Sequence, residues 1–275
     1  MADAPAFIFD TVRVQQNRAR GRALGDKFDF LRAEIADRMQ DRLQDVNRRF
    51  ETTLDVGDNC MRLTDRAGTF EIGPLADGDL SLQQNKYDLI LSNLGMHWVN
   101  DLPGMLIQLN RALKPDGFML ASMLGGETLR ELRHALLSAE AEITGGANAR
   151  VIPFADVKDL GSLLQRAGYA LPVTDIDTIT VTYEHPLKLM QDLRGMGEAN
   201  ALLGRSRKFL RRDVLKRACE IYQTEYGTKN GRIPATFQIL YMTGWHPHDS
   251  QQKPMARGSA KMSLADALRQ GPPKE

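Results

Sequence analysis

The stretch Tyr87–Leu132, YDLILSNLGMHWVNDLPGMLIQLNRALKPDGFMLASMLGGETLREL, limits most severely what this chain can fold into. Tyr87–Ser92 is a short apolar run holding one early carboxylate, Asp88, as a buried parallel strand does. A loop, 93–101, follows with two aromatic-type rings and several hydrogen-bonding groups. Leu102, Leu106, Leu109 and Leu113 then recur at helical spacing. Lys114-Pro115-Asp116-Gly117 is a stop and turn signal, because Pro cannot continue a helix and Gly accepts a positive φ. Phe118–Met123 is a second apolar strand, and Gly125-Gly126 leads into a helix from Glu127. This order is a βαβ unit, which makes the two strands parallel neighbours. Open α/β sheets bind ligands in the loops at the carboxyl ends of such strands.

Elements of the same kind flank this unit. Phe28, Leu31, Ile35, Met39, Leu43, Val46 and Phe50 step by three or four, an amphipathic helix supported by Glu34–Arg38 and Asp45–Arg49. Phe154–Ala167 reads as a helix closed by Gly168, and Val173–Tyr183 and Phe237–Thr243 read as strands. Residues 186–231 between those strands carry helical stripes, which suggests an antiparallel pair capped by a helical lid, with Gly195, Gly197 and Gly204 as its flexible points. The domain division expected is an amino-terminal helical arm, 1–50, a core of 51–185 and 232–250, the insertion 186–231, and a tail, 251–275.

A formal net charge of +1 provides no global field to recruit nucleic acid. Cys60 and Cys219 stand alone and offer neither a disulfide framework nor a metal knuckle, which fits a reducing compartment. No apolar run approaches the length of a membrane span, and no Arg-rich presequence precedes Phe7; the expectation is a bacterial cytoplasm. Arg13, Arg18, Arg20 and Arg22 form a basic arm that either closes over an anionic ligand, touches the inner membrane peripherally, or is the solvated face of a helix. The last is the most economical reading.

Two stretches carry candidate ligand chemistry. Thr52–Gly57, TTLDVG, delivers a strand to Asp55 and Gly57, as nucleotide-binding loops begin, but no further glycines follow. Ala76-Asp77-Gly78-Asp79 places acids after a short apolar run, either to contact a base or to make a surface turn. His246, His248 and Asp249 have metal-ligand residue types without a supporting cluster, so no metal is expected.

Several segments together match a known pattern: IFD at 8–10, FDFLRAEIADR, LDVG at 54–57, HWVNDLP at 97–103, LKPDG at 113–117, GGETLRELR at 125–133, LMQDLRGMGEAN at 189–200, PATFQILYMTGW at 234–245 and RGSAKMSLADAL at 257–268. With these, nearly the whole chain resembles class I S-adenosylmethionine-dependent methyltransferases. More narrowly, it resembles the family of mitochondrial complex I assembly factor 5 and its bacterial relatives, itself similar to the malonyl carrier-protein methyltransferase of biotin synthesis. The resemblance implies a Rossmann-like α/β sheet of seven mainly parallel strands with an antiparallel hairpin, and S-adenosylmethionine as cofactor. The assembly-factor member hydroxylates an arginine of a NADH dehydrogenase subunit, which makes such a subunit the partner to expect. A fold shared by methyltransferases does not itself decide the reaction.

The chain departs from that pattern between its first strand and Asp88. Asp55 and Asp88 lie too close for two strand–helix units of about 30 residues each, so one unit should be missing from 58–74. The resemblance implies Asp55 and Gly57 at the cofactor's amino-acid portion, Asp77 at the adenine, and Glu71 as the ribose acid. Asn93, His97 and Trp98 would line the acceptor side, with His97 as proton carrier because an imidazole titrates near neutrality. The alternatives are a non-catalytic assembly protein and a small-molecule carboxyl O-methyltransferase.

Overall fold

A computed structural model describes residues 7–57 and 67–252. The RGSAKMSLADAL segment and Cys60 lie outside these residues. The elements are α1 (Thr11–Ala23), α2 (Phe30–Gln44), β1 (Phe50–Val56), β2 (Ala67–Gly73), β3 (Tyr87–Ser92), α3 (Leu102–Ala112), β4 (Leu113–Leu124), α4 (Arg130–Thr144), α5 (Val157–Arg166), β5 (Ala170–Tyr183), α6 (Pro186–Gly195), α7 (Arg212–Tyr226) and β6 (Ile233–Trp245).

Six strands form one sheet in the order β2-β1-β3-β4-β6-β5. The pairs β1–β2, β1–β3 and β3–β4 are parallel, whereas β6 runs antiparallel to both β4 and β5. The βαβ unit β3-α3-β4 is therefore as its pattern dictates. The architecture is the Rossmann-like one with an antiparallel pair at the carboxyl-terminal side, holding six strands among the described residues where the full pattern has seven.

Alternation along the strands divides the core into two layers. Leu89 and Leu91 of β3 join Phe118 and Leu120 of β4 beneath α2, α4 and α7. Ile90, Met119 and Ala121 face the other way, onto α3 and α5. Both sheet faces are covered, which explains why β3 and β4 read as continuous apolar runs. In the 186–231 segment, α7 supplies Val214, Ala218, Ile221 and Tyr222 to the first layer, and the Tyr222 hydroxyl donates to the carbonyl of Pro234, 2.7 Å away.

Two local expectations need correction. The chain leaves α3 at Ala112 and enters β4 directly, and Asp116, not Gly117, carries the positive φ of 62°. Gly117 is needed for space instead, since a Cβ there would stand 2.9 Å from the carbonyl of Lys114. Gly195 and Gly197, expected as hinge points, are close-approach positions. A Cβ on Gly195 would enter the Phe28 ring, one on Gly21 would meet the Gly195 carbonyl at 2.8 Å, and Gly197 lies with φ of 83° against the backbone of Asn17 and Arg18. Gly21 and Gly197 let α1 lie directly against the carboxyl end of α6, and Gly195 makes room for Phe28.

Candidate functional site

The amino-terminal arm is stitched across the carboxyl ends of β1, β2 and β3. Asp10 caps α1 by accepting from Arg13 N at 3.0 Å and pairs with Arg205 at 3.0 Å. Phe9 bridges to Leu202, and the amide of Leu203 donates to the Ile8 carbonyl. Asn100 Oδ1 accepts from the amides of Ile8 and Phe9, both at 2.7 Å, while its Nδ2 donates to Asp77 Oδ2 at 2.7 Å. Asp77 Oδ1 accepts from the amides of Asn100 and Asp101 at 2.7 and 3.0 Å. A carboxylate has about four acceptor positions, so Asp77 is largely committed to holding the 100–101 turn, and through it the arm.

Two cavities open beside the arm. The first, of about 480 Å³, lies between α1 and the ends of β1 and β2, and its walls include Arg18, Arg22, Gly57, Leu75, Asp77 and Trp98. The second, of about 460 Å³, has apolar walls that include Leu132, Ile152 and Phe154, together with Arg13, Arg20, Glu198 and again Trp98. Trp98 is a wall common to both. Residues i and i+7 of one helix share a face, which is why Arg13 and Arg20 serve the second cavity while Arg18 and Arg22 serve the first. Helix α1 thus borders both cavities.

The loop after β3 holds Trp98 rigidly. Its indole Nε1 donates to Glu198 Oε2 at 2.8 Å, the His97 Nε2 lies 3.0 Å from the same oxygen, and Phe9 meets Trp98 edge-on at 5.3 Å. Arg32 closes the cluster by donating to the Met196 carbonyl at 2.6 Å, with Glu198 Oε1 at 3.5 Å. Burial alone would push the Glu198 carboxyl up; the His97 ring, Arg32 and Arg18 override it and hold the group at about 2. An ionised, buried carboxylate surrounded by donors is a strut that fixes both rings.

Arg18 is partnered in a different way. Among the described residues its guanidinium makes one hydrogen bond, a 3.4 Å contact from Nη2 to the Leu94 carbonyl. Its Nε is sealed from solvent without a partner, and burial lowers its pKa to about 10, so it remains cationic at neutral pH.

The expected site residues separate accordingly. Gly57, with φ of 101°, and Asp77 face the first cavity. Asp55 is fully buried in β1, and neither it nor Glu71 lines either cavity. The Glu71 carboxylate is held by Lys86 at 2.7 Å and by the Tyr87 hydroxyl at 2.9 Å, and the Lys86 ammonium depresses its pKa. Asn93 is buried, accepting from Ser122 Oγ and donating to the Arg32 carbonyl, and His97 sits behind Trp98. His246 Nδ1 bonds Asn110 Oδ1 at 2.8 Å, and no group of three or more potential metal ligands stands together among the described residues. Sequence reasoning missed Glu198, although it lies inside the LMQDLRGMGEAN segment, and it preferred a solvated role for Arg18. A carboxylate flanked by Gly197 and Ala199 gives no sign of burial; the basic arm at least gave a signal.

Comparison with known proteins agrees with this architecture. A family model described as a methyltransferase domain matches residues 4–172. The chain is 43% identical over 293 residues to the mitochondrial arginine-hydroxylase NDUFAF5 of Danio rerio, with 96% of this chain and 90% of that protein covered. It is 38% identical to the Homo sapiens protein of the same name, over 94% of this chain and 82% of that one. The malonyl-[acyl-carrier protein] O-methyltransferase of Halorhodospira halophila is 30% identical, over 87% and 89%. The chain belongs to the methyltransferase-domain family and, within it, groups with the arginine-hydroxylase NDUFAF5 proteins.

Proposed function

We propose that this chain binds S-adenosylmethionine in the first cavity and modifies a protein side chain presented at Trp98 from the second, the target being an arginine of a NADH dehydrogenase subunit. The observation that carries this reading is Trp98 itself, a rigid wall shared by two cavities of similar size. The identity to arginine hydroxylases along nearly the whole chain supports the choice of target.

The residues at the first cavity fit the cofactor at both ends. Gly57 keeps its end of the cavity clear, since even an added Cβ would come no nearer than 3.5 Å to Leu75 and 3.7 Å to Arg18. Leu75 and Val99 provide apolar surface for a base, and Asp77 retains one acceptor position toward it. When bound, S-adenosylmethionine supplies a sulfonium-activated methyl group. The residues of this chain act by placement: α1 covers the cavity, the His97–Glu198 cluster orients Trp98, and the Asp77–Asn100 pair keeps the arm closed. Positioning of this kind is a large part of what a transfer enzyme contributes. The partner surface we assign to the mouth of the second cavity. There Phe209 is fully exposed between Lys208 and Arg211, a composition that also suits peripheral contact with the membrane bearing the partner.

The test is mass spectrometry of NADH dehydrogenase subunits from cells with and without the gene. An arginine modified only when the gene is present supports the reading. One added methyl group is what S-adenosylmethionine supplies, whereas one added oxygen means hydroxylation, for which molecular oxygen and two electrons must come from a separate co-reactant. A second reading, a binding protein that aids assembly without turnover, rests on Asp55 and Glu71 lying away from the cavity. Unmodified subunits together with an assembly defect would favour it.

A further inference from the structure

The wall of the second cavity is unbalanced in charge. Its lining holds four arginines, Arg13, Arg20, Arg150 and Arg194, against the single carboxylate of Glu198. That carboxylate is already engaged by Trp98, His97 and Arg32, and Arg150 is paired with Glu140 at 2.7 Å. The other three guanidiniums stand differently. Arg13 reaches only Gln16, at 3.5 Å, and its Nε is sealed without a hydrogen-bond partner. Among the described residues, neither the Arg20 nor the Arg194 guanidinium has a hydrogen bond or an ion pair. A wall of one sign opposes the entry of a cation unless the cation arrives with anions of its own. The target arginine placed in this cavity above is such a cation.

We propose that the second cavity admits its target only as part of an acidic segment, an arginine flanked on both sides by aspartates or glutamates. Their carboxylates pair with Arg13, Arg20 and Arg194 while the arginine reaches Trp98. This deepens the function proposed above and rests on its placement of the target. The spacing suits an extended chain: Arg13 and Arg20 are two helical turns apart on α1, about 10 Å, the span of about three residues of extended peptide. Arg194 comes from the last turn of α6, so the carboxylates are met from a second helix as well. Apolar positions of the segment have Ile152, Phe154 and the fully exposed Phe209 to rest on. Charge-assisted pairing with a guanidinium favours carboxylates, and the same wall repels a segment that carries lysine beside its arginine.

Fluorescence anisotropy of the full chain with labelled peptides tests this. The peptides share a central arginine and differ only in whether aspartate, asparagine or lysine stands two and three places to either side. The aspartate peptide is expected to bind on the order of tenfold more tightly than the asparagine one at low salt, with lysine weakest, and high salt should shrink the gap. Arg20→Gln combined with Arg194→Gln should close most of that gap, and Arg194→Glu should move the preference toward lysine. Equal binding of the aspartate and asparagine peptides by the unaltered protein overturns the proposal and leaves the placement of the target intact. So does a gap that survives in the folded double variant. Displacement of the aspartate peptide by phosphatidylglycerol vesicles, with vesicle binding lost in the same variant, also overturns it, because the arginines then serve a lipid surface. If a peptide with alanine for the central arginine binds as tightly, or if no peptide binds at millimolar concentration, the placement of the target at Trp98 falls and this proposal with it.

Discussion

Glu198 and Arg18 face the same Trp98 wall from opposite sides, and their surroundings are opposites. The carboxylate is saturated by an indole N–H, an imidazole nitrogen and a guanidinium. Among the described residues the guanidinium has one long bond, a sealed Nε without a hydrogen-bond partner, and the Glu198 charge beyond ion-pair distance. A buried ion whose partners are all supplied by the chain is part of the scaffold. One that has a single long bond and only a more distant charge, as Arg18 has in Glu198, is held mainly by the packing of its helix.

Mutations can break this contrast. Glu198→Ala should produce the largest loss, about 3–5 kcal/mol, because it strands buried polar partners, and denaturant unfolding measures it. Arg18→Met, of similar length and without an uncompensated charge, should be close to neutral or stabilising in the same assay. If the two lose stability equally, Arg18 is as much a strut as Glu198. Next in size, Gly197→Ala should cost about 1–3 kcal/mol, since it places a side chain at φ of 83° and presses on α1. It should weaken ligand binding in parallel, because α1 carries Arg18.

Acid sharpens the same point. The folded-state pKa of Glu198 is depressed from 4.5 to about 2, so its contribution is complete above pH 4.5 and is lost as pH falls toward 2. Glu140, held by Arg150 at 2.7 Å and by Asn148, behaves alike in the same window. Glu198→Gln should therefore flatten only part of the acid limb of a stability–pH curve, and the double variant with Glu140→Gln more of it. Full persistence of the acid limb in the double variant would show that neither carboxylate is held as described.

Much of the fold was legible because β3, α3 and β4 announce themselves by period and by burial on both sheet faces. The same holds for α5, with Gly168 at its end, and for β5. The site was legible only where a residue must be what it is for local backbone reasons, as at Gly57. Asp77 was legible as an acid of interest, yet what it does depends on Asn100, 23 positions away, and on Ile8 and Phe9 beyond that. Glu198 meets His97 and Trp98 across about a hundred residues, a pairing that no local pattern encodes. The arginines of α1 were visible as charge, but whether a helix face meets water or a cavity is decided by α6 and its glycines. Tertiary contact, rather than propensity, chose between those readings.

The smallest effect separates Glu71 and Asp77, the two acids expected at the cofactor's nucleoside. Glu71→Gln weakens an ion pair with the half-exposed Lys86 and leaves the Tyr87 hydroxyl a neutral acceptor. Exposed pairs contribute little, and Glu71 does not line the cavity, so affinity for S-adenosylhomocysteine should stay within about twofold. Asp77→Asn should do more for a reason that concerns the arm. Its amide can still accept from the backbone of Asn100 and Asp101, but its NH₂ then opposes the Asn100 NH₂. Asn100 can resolve the clash only by flipping, which turns an NH₂ toward the amides of Ile8 and Phe9 and loosens the arm. The expected signature is faster amide exchange at Ile8 and Phe9 together with weaker binding. Weaker binding with unchanged exchange would instead mean that Asp77 touches the ligand directly, and a binding loss in Glu71→Gln as large as in Asp77→Asn would return Glu71 to the site.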